Sequence, residues 1–131
     1  MGCNKENKGA TDKTYIDIFD NPNISLISPS GNYLAIIKKF NDNGIESYKI
    51  YIKYKDNDND LGYETDLIFR ARDKNYIFWA DESDILWGYS GDIGTFFWSR
   101  ENGNWAKHSY ADNRDAVVPQ ALKKVRPRNF Q

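Results

Sequence analysis

The residues that could carry out chemistry in this chain are few and widely spaced. His108 is the only histidine and Cys3 the only cysteine of the 131 residues. A Ser-His-acid triad or a histidine-based metal site would therefore depend on His108 alone. One cysteine also excludes an internal disulfide and a zinc site built on cysteines. No catalytic motif surrounds His108, so we interpret it as an ordinary histidine and predict that the chain is not an enzyme.

Two acidic segments have a spacing that other proteins use for metals or sugars. Segment 56–60 (DNDND) begins like an EF-hand loop, but Leu61 and Leu67 stand where that loop needs glycine and glutamate. Asp81 and Asp84 form a carboxylate pair such as glycosidases use, but aspartate is equally common in turns. The sequence therefore predicts no metal site and no cofactor.

Aromatic residues are concentrated in one part of the chain. All four tryptophans lie between positions 79 and 105, together with several phenylalanines and tyrosines. Large rings form protein cores, but they also anchor protein interfaces. Residues 96–98 (FFW) place rings on both faces of one strand, so each face is either covered or a binding patch. We expect Trp79, Phe97 and Trp105 in the core.

The aromatic segment is also acidic, which bears on the kind of partner. Arg100 is its only basic residue, and the whole chain has a net charge of −1. Such a surface repels phosphate, so we predict no nucleic-acid partner. It favours a basic protein, because charge steers the encounter and rings anchor the complex. The predicted partner-binding residues are Asp81, Glu82, Asp84, Trp87, Tyr89, Asp92 and Trp98.

Short β-strands separated by turn residues account for most of the chain. Asn43-Gly44 gives the clearest hairpin signal, and in segment 45–54 apolar and polar residues alternate as in a half-buried strand. We predict an all-β fold, mainly an antiparallel meander or sandwich of about seven to nine short strands. A short C-terminal helix is predicted within 117–125, with Pro119 in its first turn.

We predict one β-domain over residues 14–131, which includes a basic C-terminal tail at 117–131. Residues 1–13 are polar and lack hydrophobic periodicity, so they are predicted to be a flexible N-terminal lead.

Two segments are similar to each other: 28–36 (SPSGNYLAI) and 79–87 (WADESDILW) each contain a strand end, a polar turn and an apolar strand. Here the chain resembles blades of TolB-like β-propellers, although Ser30 replaces the usual aspartate. A propeller needs at least four blades of roughly 40 residues, so this chain cannot close one. The Ser-Pro-x-Gly-x-Tyr-x-Ala strand also resembles small bacterial lipoproteins and small β-rich immunity proteins encoded beside secreted toxins.

The resemblance to immunity proteins implies a binding or inhibitory function without catalysis. Such a protein neutralises a cognate toxin by covering its active site. Against a nuclease, the acidic residues of the predicted site would mimic phosphate, and its rings would act as anchors. The expected partner is therefore a basic toxin domain.

Cys3 carries the alternative, a lipid-anchored envelope protein that binds a ligand or acts as a scaffold. The polar run after Cys3 resembles the tether that follows the lipid-accepting cysteine of bacterial lipoproteins. Met1-Gly2-Cys3 also begins like a myristoylation signal, but Glu6 stands where that signal needs serine or threonine. We expect membrane contact only through a lipid on Cys3. The predicted location is the bacterial cell envelope if Cys3 is lipidated and the cytoplasm otherwise.

Overall fold

Two β-sheets contain most of the regular structure. The computed structural model describes residues 10–11, 15–17, 25–128 and 130, with side chains from residue 25 onward. The strands are β1 (Ala10–Thr11), β2 (Tyr15–Asp17), β3 (Ser25–Ile27), β4 (Tyr33–Asp42), β5 (Ile45–Tyr54), β6 (Tyr63–Glu64), β7 (Phe69–Arg70), β8 (Asn75–Trp79), β9 (Leu86–Ser90), β10 (Gly94–Glu101) and β11 (Asn104–Ser109). A 3-10 turn (Tyr110–Asp112) and one helix, α1 (Gln120–Val125), follow.

Sheet A has six strands in the order β1-β3-β4-β5-β6, and β7 also pairs with β5. Sheet B has five strands in the order β11-β10-β9-β8-β2. All pairs are antiparallel except β1 with β3. The all-β class with a short C-terminal helix is confirmed. Eight of the described strands have three residues or more, and the other three have only two.

The β4–β5 hairpin forms where the turn signal predicts it. Asn43 and Gly44 both have positive φ angles, 54° and 88°, as the tight turn between two twisted strands requires. The strands then pair without interruption from Asp42 opposite Ile45 to Tyr33 opposite Tyr54. This long ladder gives sheet A its centre.

The inner faces of the two sheets enclose the main core. Its buried residues are Leu26, Ala35, Ile37, Tyr48, Ile50, Ile52, Phe69, Ile77, Trp79, Leu86 and Trp98. The indole Nε1 of Trp79 in sheet B donates a hydrogen bond of 2.9 Å to the carbonyl oxygen of Leu26 in sheet A. A Cβ atom on Gly88 would lie only 3.1 Å from the ring of Phe69, so the sheets approach closely here.

The outer face of sheet B, which points away from sheet A, carries a second core. Its buried residues are Tyr76, Phe78, Ala80, Trp87, Tyr89, Val118, Leu122 and Phe130. The last three belong to the C-terminal segment, residues 113–128 and 130, which crosses this face. Helix α1 begins at Gln120 and not at 117, because Pro119 at its N-cap has an extended ψ of 140°. Val117 therefore lies outside the helix.

Candidate functional site

An open groove of about 630 Å³ lies between the outer face of sheet B and the C-terminal segment. Its walls come from the β8–β9 turn, from β9 and β10, and from the residues that precede and begin α1. We call it the acidic groove, and it is lined by Ala80, Asp81, Glu82, Ser83, Ile85, Trp87, Phe97, Ala116, Val117 and Gln120.

The carboxylate of Asp84 holds the β8–β9 turn in place. It accepts hydrogen bonds from the backbone N–H of Ser30 at 3.1 Å and from the Ser30 hydroxyl at 2.6 Å. The backbone N–H of Ala80 donates to the carbonyl oxygen of Ile85 at 2.8 Å and closes the turn. The turns of the two similar sequence segments are thus in direct contact, and Asp84 has a structural role.

The carboxylate of Asp81 caps helix α1 from a distance in sequence. Its Oδ2 accepts a hydrogen bond of 3.1 Å from the backbone N–H of Gln120, the first residue of the helix. Pro119, at the N-cap position, provides no side-chain cap. Because the first N–H groups of a helix lack partners within the helix, this contact both satisfies one and attracts the helix dipole. Asp81 therefore sets the distance between the two walls of the groove.

Arg126 fixes the C-terminal end of helix α1. Its Nε donates to the hydroxyl of Tyr89 at 3.2 Å. Its guanidinium carbon lies 5.5 Å from the ring centre of Tyr76 and 5.4 Å from that of Tyr89. Leu122, between the two fixed ends, is fully buried. The groove is open only where this cover ends, next to Val117.

The structure brings together only part of the predicted site. Asp81, Glu82 and Trp87 all line the acidic groove. Asp92 is exposed on the β9–β10 turn, at the opposite end of β9. Within the described part of the chain, the carboxylates of Glu82 and Asp92 have neither a hydrogen bond nor an ion pair, and they are the acids of the predicted set available to a partner without breaking an internal contact.

The three rings of the predicted partner-binding set are buried in the described structure. Trp87, Tyr89 and Trp98 are 1%, 8% and 0% exposed. Trp98 faces sheet A, whereas Trp87 and Tyr89 lie beneath the C-terminal segment. Both faces of the aromatic strands are covered, by a sheet on one side and by the tail on the other. The strand pattern alone did not reveal the second cover.

A row of stacked rings runs from the groove across sheet B. Trp87 stacks on Phe97 with ring centres 4.6 Å apart, and Phe97 stacks on His108 at 5.1 Å. The indole Nε1 of Trp87 is buried and finds no acceptor among the described residues. The groove floor is therefore formed by stacked aromatic rings, and among the described residues it contains one donor without an acceptor.

His108 lies in a polar cluster whose geometry differs from that of a catalytic triad. Its Nε2 is 2.6 Å from Glu101 Oε2 and 3.4 Å from Ser99 Oγ, while the Ser99 hydroxyl donates to Glu101 at 2.6 Å. A triad histidine uses one nitrogen for the serine and the other for the acid. Here both neighbours share Nε2. The hydrogen bond from Ser99, and then that from His108, holds the pKa of Glu101 below its ordinary value.

Sequence reasoning missed several residues of the groove. Val117 is 82% exposed at its edge, and Phe97, assigned to the core, is half-buried in its floor. The signal for Val117 was available, since a helix that starts near Pro119 leaves residue 117 outside it. The sequence contained no such signal for Phe97. Alternation along a strand predicts the face of the sheet on which a side chain lies, but not what packs against that face.

Cys3 lies outside the described residues, so the lipid attachment and the location that follows from it stay predictions. Of the predicted N-terminal lead, residues 1–13, the structure describes only Ala10–Thr11, and these pair with β3 instead of standing free. In the described ranges, no three His, Cys, Asp or Glu side chains are grouped so as to hold a metal ion. Neither described helix is long and apolar enough to cross a bilayer.

Comparisons of the chain with protein-family models, with curated proteins and with solved structures found no match. The resemblances to propeller blades, to lipoproteins and to immunity proteins thus stay predictions that rest on the quoted motifs.

Proposed function

We propose that this chain is a non-catalytic inhibitor, a bacterial immunity protein that neutralises a cognate toxin by covering its active site. The observation that carries the proposal is the exposed carboxylate of Glu82 at the edge of the acidic groove, whose floor is apolar. Val117 is exposed beside it. Exposed apolar surface with a polar rim is typical of protein docking sites.

The chemistry of the groove favours a basic partner residue. Lysine and arginine have long apolar stems that pack on apolar surface while their charged ends stay at a polar edge. A stem on Val117 and Phe97 would bring its charge next to Glu82. Asp81 adds a second negative charge there, although its carboxylate also holds helix α1. Toxins that act on nucleic acids expose such basic residues in their active sites.

The groove is also built in advance of binding. Asp84 and Asp81 hold its two walls, and stacked rings form its floor. A partner residue that enters the groove therefore loses conformational entropy, but the residues of the groove lose little. Preorganisation of this kind raises affinity without adding contacts.

The direct test is binding to the protein encoded beside this gene, measured by pull-down and by calorimetry. We expect a stable complex and suppression of the toxin's activity. Glu82→Lys and Val117→Lys each place a positive charge against the basic partner residue and should each weaken binding at least tenfold, which is about 1.4 kcal/mol. Asp58→Lys is the matched control, because Asp58 is an exposed acid that does not line the groove.

Two results would contradict the proposal in different ways. Absence of a toxin-like neighbour and of any complex would reject the immunity function. A complex that neither groove variant weakens would retain the function but place the interface elsewhere. If the proposal is right, the association rate should also fall as the salt concentration rises, because salt screens the attraction between Glu82 and the basic residue of the partner.

A further inference from the structure

A second pocket lies at the end of the sandwich where one residue pair from each sheet meets. In sheet A, Tyr33 is paired with Tyr54; in sheet B, Arg100 is paired with Trp105. The guanidinium carbon of Arg100 is 5.9 Å from the ring centre of Tyr33 and 5.7 Å from those of Tyr54 and Trp105. We call this the guanidinium pocket, and its volume is about 260 Å³.

The three rings hold one another in place around Arg100. The ring centres of Tyr33 and Tyr54 are 4.9 Å apart, and the ring of Trp105 meets that of Tyr33 edge-on at 5.2 Å. Tyr54 is 43% exposed, and Arg100 is exposed as well. Tyrosine, tryptophan and arginine are the residues that most often dominate binding energies. Here they occur together on an accessible surface.

Across the described part of the chain, the guanidinium of Arg100 forms neither an ion pair nor a hydrogen bond, although Asp60 lines the same pocket. The carboxylate of Asp60 instead accepts backbone hydrogen bonds from Tyr54 at 2.7 Å and Gly62 at 2.9 Å. These bonds keep the pKa of Asp60 below its ordinary value of 3.8. Asp60 therefore stabilises the loop, and Lys53 adds a second positive charge to the pocket.

We propose that the guanidinium pocket binds a carboxylate carried on an aromatic or apolar stem. A guanidinium presents two parallel N–H groups that match the two oxygens of a carboxylate. The rings restrict Arg100 before binding, which lowers the entropy lost on binding. They and Ile52 also offer apolar surface to the stem. A cationic ligand does not fit, because Arg100 already occupies the ring faces that would attract it.

This site is separate from the proposed inhibitory contact. No residue lines both the guanidinium pocket and the acidic groove, and the two have opposite charge. A toxin could be bound through the groove whether or not this pocket binds a carboxylate.

Nuclear magnetic resonance titration of the full chain with sodium benzoate tests the proposal. We expect saturable shifts of the Arg100 Nε–H and the Trp105 indole signals at millimolar benzoate. Benzamide, which has the same ring without the charge, should cause no such shift. Inorganic phosphate, which lacks the stem, should bind at least fivefold more weakly.

Two variants separate the contribution of the two parallel N–H groups of the guanidinium from the contribution of its positive charge. Arg100→Lys should weaken benzoate binding about tenfold, and Arg100→Gln should abolish saturable shifts. Lys38→Gln is the matched control, because Lys38 also lies over a ring, that of Tyr51 at 4.7 Å, but outside the pocket. Urea unfolding of each variant shows whether it is folded, and Arg100→Lys remains informative if Arg100→Gln is not.

The outcome also distinguishes two sources of the carboxylate. A short peptide that ends in phenylalanine, with a free carboxylate or an amide, is titrated in the same way. Tighter binding of the free peptide than of benzoate supports a protein terminus as the natural ligand, and the reverse supports a small aromatic acid. The proposal is overturned if benzoate causes no saturable shift, if Arg100→Gln binds it equally, or if benzamide or phosphate binds as well as benzoate.

Discussion

The two faces of sheet B contain the same kinds of residue but are closed in different ways. On the inner face, Trp79 and Trp98 pack against a complete second sheet. On the outer face, Trp87 and Tyr89 are covered by a tail with one short helix. The second sheet buries both Trp79 and Trp98, whereas the cover by the tail is interrupted at Val117 and leaves a groove. The difference indicates that the incomplete cover, and not the aromatic cluster itself, creates the acidic groove.

The hydrogen bonds that hold the covers of the two faces also differ. The inner face has a sheet-to-sheet hydrogen bond from Trp79 to Leu26. The outer cover is held by Asp81 at the start of α1 and by Arg126 at its end. These contacts lie at the margin of the cover, where water competes for them. We therefore expect the outer cover to open at a lower free energy than the inter-sheet core.

The largest expected effect is loss of a tryptophan from the inner face. Trp79→Ala should lower the free energy of unfolding by about 3–5 kcal/mol, because it leaves a large cavity between two sheets and an orphaned carbonyl. Trp87→Ala should cost less, since the groove beside it lets the cavity fill with water. Urea unfolding of both variants measures the difference. Equal losses would contradict the distinction between the two faces.

Leu122→Ala tests the outer cover from the opposite side. We expect a loss of about 2–3 kcal/mol, at the lower end for a buried leucine, because the thin tail can settle into the space. Hydrogen exchange should speed up in residues 113–128 and not in sheet A. Leu61→Ala is the control, since Leu61 is almost fully exposed. Uniform acceleration across both sheets would show that the cover and the sandwich unfold together.

Replacing each tryptophan by phenylalanine isolates the indole N–H. Trp79→Phe removes the donor to Leu26 and should cost about 1–2 kcal/mol more than Trp87→Phe. The Nε1 of Trp87 has no acceptor among the described residues, so its removal leaves nothing unpaired. Paired urea unfolding curves give the comparison. A greater loss from Trp87→Phe would reveal an acceptor for its indole.

The helix cap should have a smaller effect. Asp81→Ala removes the acceptor for the Gln120 N–H and should cost about 1 kcal/mol, as caps commonly do. Glu82→Ala, one residue further, should change stability by less than about 0.5 kcal/mol, because Glu82 is exposed. Thermal unfolding distinguishes them. If the two losses were equal, Asp81 would not be holding the wall of the groove.

The smallest expected effect is a change in how the free energy of unfolding depends on pH, and it comes from Asp60 in the guanidinium pocket. The folded-state pKa of Asp60 is lowered, first by the backbone N–H of Tyr54 and then by that of Gly62. Its stabilising contribution is therefore complete above the ordinary value of 3.8 and is lost as the pH falls through the lower folded value. Asp60→Asn should reduce the loss of stability in this acidic range. Asp58→Asn, a change of the same kind in the same loop, is the control variant, and pH-dependent urea unfolding of both variants provides the measurement.

Much of the fold could be predicted because its signals are local. The Asn43-Gly44 turn requires positive φ angles, and alternation along β5 specifies its buried face. The region between residues 65 and 70 was less predictable. Only residues 69–70 of this region form a strand, β7, and both β7 and the preceding strand β6 pair with β5. Thr65 lies between them, and its backbone N–H and its hydroxyl both donate to the carbonyl oxygen of Ile50.

The candidate site was predictable only in its acidic turn. Asp81 and Glu82 lie in the groove, as the predicted set requires for a common surface, but two of the four acids already have internal partners. The pocket around Arg100 was not predicted at all. Tyr33 and Arg100 are far apart in the sequence and lie in different sheets, so only the packing of the sheets brings them together.

The sequence by itself determined the all-β class, where the tightest turns lie and which strands are rich in aromatic residues, because these properties depend on near neighbours along the chain. Tertiary structure alone decided what covers each face. Alternation assigns a ring to one of two faces but contains no information on the layer above it. The tail covers Trp87 and Tyr89, the second sheet covers Trp98, and the groove remains at the place that neither of them reaches.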